Sequence, residues 1–421
     1  MNKGWKKVKV GEIFDVQLGK MLSPKAKEGE QYTYLGNFNV QWGSINFKKL
    51  NTMHFSDREK EKYLLKENDI LMCEGGEIGR CAIWRNQYEN CFYQKALHRL
   101  RALKPNIVNP YYFYTYMQYI TSNNGLVKIV GETSIAHLTR EKLRELKFPL
   151  PSIKDQNQIS DIFKEWDNAI EKTEALIAAK EKQFEWLISE LISKPNEEKK
   201  DNWRQVKLGD IGEISSAGVD KKIIKGEIPV RLINYLDVYR SDFIDSKNIT
   251  HQVTAPAAKA SKCAIQKGDV FFTPSSELRG DIGHSSVATE DMPDAVYSYH
   301  VVRLRLHENW DLKYRAYAFK ARNFFKQAYK YADGSGQRYV ISQNNFRKME
   351  ILVPPLETQQ KISNILSEAQ KEILLLKKTL GKYRSQKRGL MQKLLTGEWQ
   401  VTSAQVGAEG ELQDRTKENV A

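Results

Sequence analysis

The chain has 421 residues, with 41% hydrophobic and 28% charged side chains and a net charge of +14. That length allows two or three domains with their own cores. It contains no run of about eighteen apolar residues that could span a membrane, and MNKGWKKVKVGEIF at its start lacks the apolar stretch of a signal peptide. The charge calls for a polyanionic partner, nucleic acid ahead of an acidic membrane surface, although a merely basic soluble protein would look the same. Cys73, Cys81, Cys91 and Cys263 do not have zinc-finger spacing. Reduced thiols and a cytoplasmic location are the expectation.

In chain order, nearly every recognisable element occurs twice. WKKVKVGEI (Trp5–Ile13) returns as WRQVKLGDI (Trp203–Ile211). Asn68-Asp69-Ile70-Leu71 returns as Gly268-Asp269-Val270-Phe271, Glu77-Ile78-Gly79 as Asp281-Ile282-Gly283, and Arg99-Leu100-Arg101 as Arg303-Leu304-Arg305. PLPSIKDQNQIS at 149–160 returns as VPPLETQQKIS at 353–363. Order is kept and the offset drifts only between 198 and 204, so the chain is two tandem copies of one unit, a globular domain followed by a helix. Within each copy, short apolar runs such as DILMCEGG and DVFFTPSS, bounded by Gly and Pro, predict strands. Val302, Leu304 and Leu306 alternate with Arg303 and Arg305, as in a half-buried strand. The aromatic stretches PYYFYTYMQYI and LKYRAYAFKARNFFKQAYKY could stack on bases, but the core face of a helix explains them better.

Each copy ends in a long heptad helix. Ile159, Trp166, Thr173, Lys180 and Leu187 form one row of the first helix, and Phe163, Ile170, Ile177, Phe184 and Leu191 the other. In the second, the rows are Ile362, Ala369, Leu376, Tyr383, Leu390 and Leu366, Ile373, Leu380, Lys387, Leu394. Pro151 and Pro354-Pro355 launch the helices and Gly397 ends the second. Helices of about 39 residues reach roughly 58 Å, too long for one domain to bury, and should pair as a coiled coil. The predicted fold is therefore α+β with an internal pseudo-twofold repeat. Residues 1–150 form a first domain, 151–194 a first helix, 195–202 a linker, 203–353 a second domain and 354–397 a second helix. The polar tail 398–421 is expected to be disordered.

Catalytic signatures are missing. There is no GxGxxG or Walker loop, no HExxH, no GxSxG and no N/D-P-P-Y/F methyltransferase motif, to which Val353-Pro354-Pro355-Leu356 is only superficially close. Glu74-Gly75-Gly76-Glu77 reads as a turn rather than a catalytic pair. What remains is basic and polar residues in Gly-containing loops: 19–25 and 131–137 in the first copy, 218–222 and 334–339 in the second. Such side chains bind phosphates and read base edges. Singly each is more simply a solvated loop residue, but as a set on a +14 duplicated chain they point to nucleic acid.

The chain resembles the specificity subunits of type I restriction–modification systems. The resemblance runs from Trp5 to about Gly397 and is carried by the helix entries Pro151–Gln156 and Pro354–Gln359. The WxxVKxGxI starts, the strands at Asp69 and Asp269, and the ending GLMQKLLTG (Gly389–Gly397) add to it. Asp155 and Thr358 depart from the family's usual Glu before Gln, and the tail is longer than the pattern needs. The resemblance implies two target-recognition domains, each reading one half of a bipartite, asymmetric duplex-DNA target, with an antiparallel coiled coil fixing the gap. It implies a non-catalytic chain that docks two methyltransferase subunits and restriction/translocase subunits. S-adenosylmethionine would belong to the former, ATP and Mg to the latter, and no cofactor or metal to this chain. The expected DNA contacts are Lys20, Lys25, Thr133, Ser134 and His137 in the first domain, and Lys221, Lys222, Gln337, Arg338 and Tyr339 in the second. The rival readings are a coiled-coil scaffold that does not recognise DNA sequence, a DNA methyltransferase with its own active site, and, weakest, a membrane-surface protein.

Overall fold

The computed structural model describes residues 5–22, 28–126, 137–193 and 202–401. Two compact units result: residues 1–173 with 379–421, and residues 174–378. Each combines one globular domain with one stretch of each long helix.

In the first unit a four-stranded sheet lies at the centre. Phe14–Leu18 pairs with Leu97–Ala102, which pairs with Ile70–Cys73, which pairs with Cys81–Ile83. Ile70–Cys73 is buried along its whole length, which is why it reads as an unbroken apolar run and not as an alternation. A second sheet orders Asn51–Phe55, Glu30–Leu35 and Phe92–Tyr93. Lys6–Lys9 pairs antiparallel with Lys147–Leu150, tying the start of the domain to the strand that feeds the long helix.

The second unit repeats this plan. Gly212–Ser215, Val302–Leu306, Val270–Phe272, Ser285–Ala288 and Phe243–Ile244 form the central sheet in that order. Gln252–Ala255, Ile228–Ile233 and Ala295–Tyr297 form the second, and Arg204–Lys207 pairs with Glu350–Val353. A further three-stranded sheet sets Ser275–Ser276 against the hairpin Ala332–Ser335/Arg338–Ile341, where the described residues of the first unit have only the two-stranded ribbon Val40–Gln41/Ser44–Ile45. The stretch expected to be a loop at 334–339 is therefore the tip of a hairpin, turned by Gly336 at φ +51°.

Two sequence expectations need correction. The strand Val302–Leu306 is not half exposed: Arg303 is 2% exposed. Its guanidinium lies over the Tyr297 ring, and its Nη2 is 3.6 Å from Glu213. The second sheet covers the face that alternation assigned to solvent. The aromatic stretch after Trp310 is not one helix but two, Leu312–Ala318 and Arg322–Tyr331. At the break Phe319 is fully buried against Phe272 and Phe324, while the Lys320 ammonium pairs with Asp242.

The long helices run Ile153–Ile188, continued by a π turn to Ser193, and Leu356–Leu395. Gly397, at φ +71°, donates to the Leu394 carbonyl and closes the second. In the first unit Ile159 and Phe163 share a core with Met391, Leu394 and Leu395, and Trp166 meets Tyr383 edge-on at 5.8 Å, an antiparallel pairing. In the second unit Ile188 and Ile192 share a core with Ile362 and Leu366. The polar interruptions of the heptads are satisfied within this pairing. Lys180 reaches Glu372 at 2.9 Å, and Lys387, 8% exposed, pairs with Asp167. Among the described residues no helix is long and apolar enough to cross a membrane.

Candidate nucleic-acid interface

The repeated sequence phrases turn out to be matching joints. Asp69 and Asp269 are each 1% exposed and each receives a bidentate guanidinium. Arg101 donates Nε and Nη2 to Asp69 at 2.7 and 2.6 Å, and Arg305 does the same to Asp269 at 2.7 and 2.7 Å. The second arginine hydrogen-bonding direction is also shared, since Arg101 reaches the Leu64 carbonyl and Arg305 the Ala264 carbonyl, both at 3.0 Å. Fork geometry of this kind fixes the starting end of each buried central strand, and the segments 74–79 and 275–281 leave from its other end.

On this common frame the two surfaces differ. In the second unit Ser275, at the end of the central strand region, is 5% exposed and its Oγ accepts from Arg338 Nη2 at 2.9 Å and Nε at 3.3 Å. Arg338 and Gln337 at the hairpin tip, with Tyr235, Ser276, Glu277 and Asp281, line a cleft of about 460 Å³. Asp281 organises one wall. It accepts from Tyr239 Oη and pairs with His284 Nε2, both at 3.0 Å, and from Ser276 Oγ at 3.4 Å. Its bond raises the Tyr239 phenol above the usual range. Tyr235 and Tyr239 stack at 5.8 Å, and burial, then Asp281, pushes the Tyr235 phenol up.

Of the expected second-domain residues, Gln337 and Arg338 line this cleft, and Lys221, Lys222 and Tyr339 do not. Lys221 and Lys222 lie on an exposed loop that begins where Val219 bridges Ser298. Lys222 is 3.1 Å from Asp220. Burial, and after it the nearby positive charges of Lys221 and Arg338, lower the His300 imidazole below its ordinary value. Tyr339 is half-buried, with the Arg279 guanidinium 5.9 Å from its ring.

In the first unit the outcome is mixed. Lys20 is 7% exposed, and its ammonium donates to the His54 carbonyl and to Glu59, both at 2.6 Å. Two of that ammonium's three donors are therefore engaged within the domain. Gly19 before it is required by close packing, because a Cβ there would lie 2.2 Å from the Gln94 carbonyl oxygen. His137 is exposed and sits 3.1 Å from where a Cβ on Gly75 would be, beside the turn 74–77 that was expected between the strands. Lys25, Thr133 and Ser134 lie outside the described residues, as do most of the linker and the tail beyond 401.

Sequence reasoning missed Ser275, Glu277 and Asp281. The signal was available: PSSELRGDIG follows the central strand of the second copy where CEGGEIG follows that of the first. The longer insertion there is what pairs with the hairpin. Among the described residues no cluster of three or more metal-ligating side chains occurs.

A family model for the type I restriction modification DNA specificity domain matches residues 2–180 and again 200–382. The chain belongs to this family. Both copies are thus specificity domains, and the chain is a type I specificity subunit. A Methanocaldococcus jannaschii protein named as type I restriction enzyme MjaX specificity subunit is 22% identical over 414 residues, covering 94% of each chain. The MjaVIII specificity subunit of the same organism is 21% identical over 413 residues, 94% of this chain and 93% of that one. Two solved structures share the fold. The S subunit of the M. genitalium type I restriction–modification system has a TM-score of 0.54 at 17% identity, covering 94% and 97%. A chain from a structure of type I restriction–modification complex assembly and conformational transition has 0.64 at 14%, covering 94% and 98%.

Proposed function

We propose that each unit of this specificity subunit reads one half of a split duplex-DNA target, that the two halves differ in sequence, and that the paired helices keep the gap between them constant. The observation that carries the proposal is a duplicated frame bearing unlike surfaces. The Asp–Arg forks match bond for bond, yet the segments that follow the same strands differ in length and in most side chains ahead of the shared Ile-Gly, Glu74-Gly-Gly-Glu77 against Pro274-Ser-Ser-Glu-Leu-Arg-Gly-Asp281. A frame kept twice with its exposed loops changed is what two different readers need. In the second unit the DNA contacts are assigned to Lys221, Lys222, Gln337, Arg338 and Tyr339. In the first they are assigned to His137 with Lys25, Thr133 and Ser134, and to Lys20 through the one ammonium donor its two internal bonds leave.

In this reading the subunit performs no chemistry itself. It positions methyltransferase subunits, which bring S-adenosylmethionine, and restriction/translocase subunits, which use ATP and Mg. Because the two readers share one chain, binding of the first makes the second contact intramolecular and raises its effective concentration. Selection from a randomised duplex pool tests the proposal, using the full chain with whatever methyltransferase subunit co-purifies. A split motif with an invariant gap is expected. Binding that enriches no motif would refute it.

A further inference from the structure

We propose that the cleft of the second unit reads a G·C base pair, with Arg338 donating to guanine N7 and O6 and Glu277 accepting from the cytosine N4 amino group. The inference rests on the reading of this unit as a duplex-DNA binder and adds a base identity and a residue to it. Ser275 faces Val340 and Ser276 faces Tyr339 in the antiparallel ladder. The next facing pair, at the open end of that ladder, is therefore Glu277 opposite Arg338, and both line the same cleft.

These opposite charges do not pair with each other, and among the described residues neither has an ion-pair partner elsewhere. Three other arginines of the unit do: Arg204 pairs with Glu308, Arg231 with Asp294 and Arg305 with Asp269. Arg338 is instead held by a neutral group. The nearly buried Ser275 hydroxyl takes its Nε and one Nη2 hydrogen. Of the five guanidinium donors, the two on Nη1 and the second on Nη2 remain. That leaves a fork fixed in direction and without an ion pair, suited to two adjacent acceptors.

Glu277 is exposed. An unpaired carboxylate on a surface meant for phosphates is repelled by them, unless a base amino group donates to it. In the major groove a G·C pair offers two acceptors on guanine and one donor on cytosine. An arginine fork facing a carboxylate is the complementary set.

The test compares the full chain with Arg338→Ala, Arg338→Lys and Glu277→Gln, each with its co-purifying methyltransferase subunit, by selection from a randomised duplex pool. The unaltered chain should select a G·C pair at one position of one half-site. Arg338→Ala should lose preference at that position by roughly tenfold or more. Arg338→Lys should lose it too, because it keeps the charge and not the fork. Glu277→Gln should weaken the same base pair. The other half-site, unchanged in all variants, shows that they are folded. An A·T pair at the affected position overturns the inference, as does a uniform loss of affinity with every base preference intact. Both of those results leave the split-target reading standing, whereas absence of any split motif for the unaltered chain overturns that reading and this inference together.

Discussion

Gln156 Oε1 accepts the backbone N–H of Asn109 at 2.8 Å, and 203 residues later Gln359 Oε1 accepts that of Asp311 at 2.9 Å. Asn109 and Asp311 are the N-caps of the two aromatic helices Pro110–Ser122 and Leu312–Ala318. Each glutamine also donates Nε2 to the carbonyl of the proline that precedes its long helix, Pro151 and Pro354, both at 3.0 Å. The glutamine thus fastens the first turn of the long helix to the cap of a helix in the domain core. This is the physical reason that the phrase Pro-x-x-x-x-Gln occurs twice.

Replacing Gln156 or Gln359 by Leu should destabilise its own unit by about 1–3 kcal/mol, because a buried backbone donor and a buried carbonyl lose their partners. Both glutamines are at most 3% exposed, so water cannot readily substitute. Chemical denaturation of each variant against the unaltered chain measures the cost. Equal stability would mean that the joint relaxes without it.

Removing the carboxylate of an Asp–Arg fork should act locally. Asp69→Ala leaves Arg101 three-quarters buried without its counter-charge, and Asp269→Ala leaves Arg305 likewise. Breaking a buried pair in this way costs roughly 3 kcal/mol or more. Hydrogen–deuterium exchange should lose protection in strands Ile70–Cys73 and Leu97–Ala102 for the first variant, and in Val270–Phe272 and Val302–Leu306 for the second. Loss spread evenly over both units in either variant would contradict independent cores.

Much of this frame was legible because its parts are short-range and chemically demanding. An Asp before a buried strand, a Pro-launched helix with Gln in its first turn and a heptad seam each impose residue types at fixed spacing. The pairing of Asp69 with Arg101 crosses 32 residues and was visible only as two separate repeats. The site was much less legible. Lys20 sits in a loop that looks solvated, and nothing local to it announces that Glu59 and the His54 carbonyl will bury its ammonium. Ser275, Glu277 and Arg338 come together through a strand pairing spanning about sixty residues, which no local pattern encodes. Arg303 misled for the same reason: alternation showed the strand but not the second sheet lying on its other face.

Acidification should weaken the first unit through His98. Its ring is fully buried, Nε2 is 2.8 Å from the Leu138 carbonyl, and Nδ1 has no partner. A carbonyl only accepts, so Nε2 carries a proton, and burial disfavours a second one on the unpartnered Nδ1. Burial lowers its pKa from the ordinary 6.5. The unfolded chain therefore takes up a proton first as pH falls, and stability contributed above about pH 6.5 declines as pH drops toward the lower folded value. Denaturation midpoints measured between pH 7.5 and 5 should show this slope, and His98→Gln should reduce it. An unchanged slope in the variant would assign the pH dependence elsewhere.

Phosphate contact and base reading separate by salt. Lys221 is exposed and has no ion pair among the described residues, whereas its neighbour Lys222 is held 3.1 Å from Asp220. A lysine that neutralises a phosphate releases a condensed counterion, so its removal lowers the slope of log K against log salt by roughly 1. Lys221→Ala should do so while weakening all DNA sequences equally. Lys222→Ala should do less, since Asp220 already offsets part of its charge. Binding isotherms of the full complex across a salt series decide the matter. If Lys221→Ala leaves the slope intact but shifts one base preference, Lys221 reads a base edge and the division of labour within the second unit has to be redrawn around it.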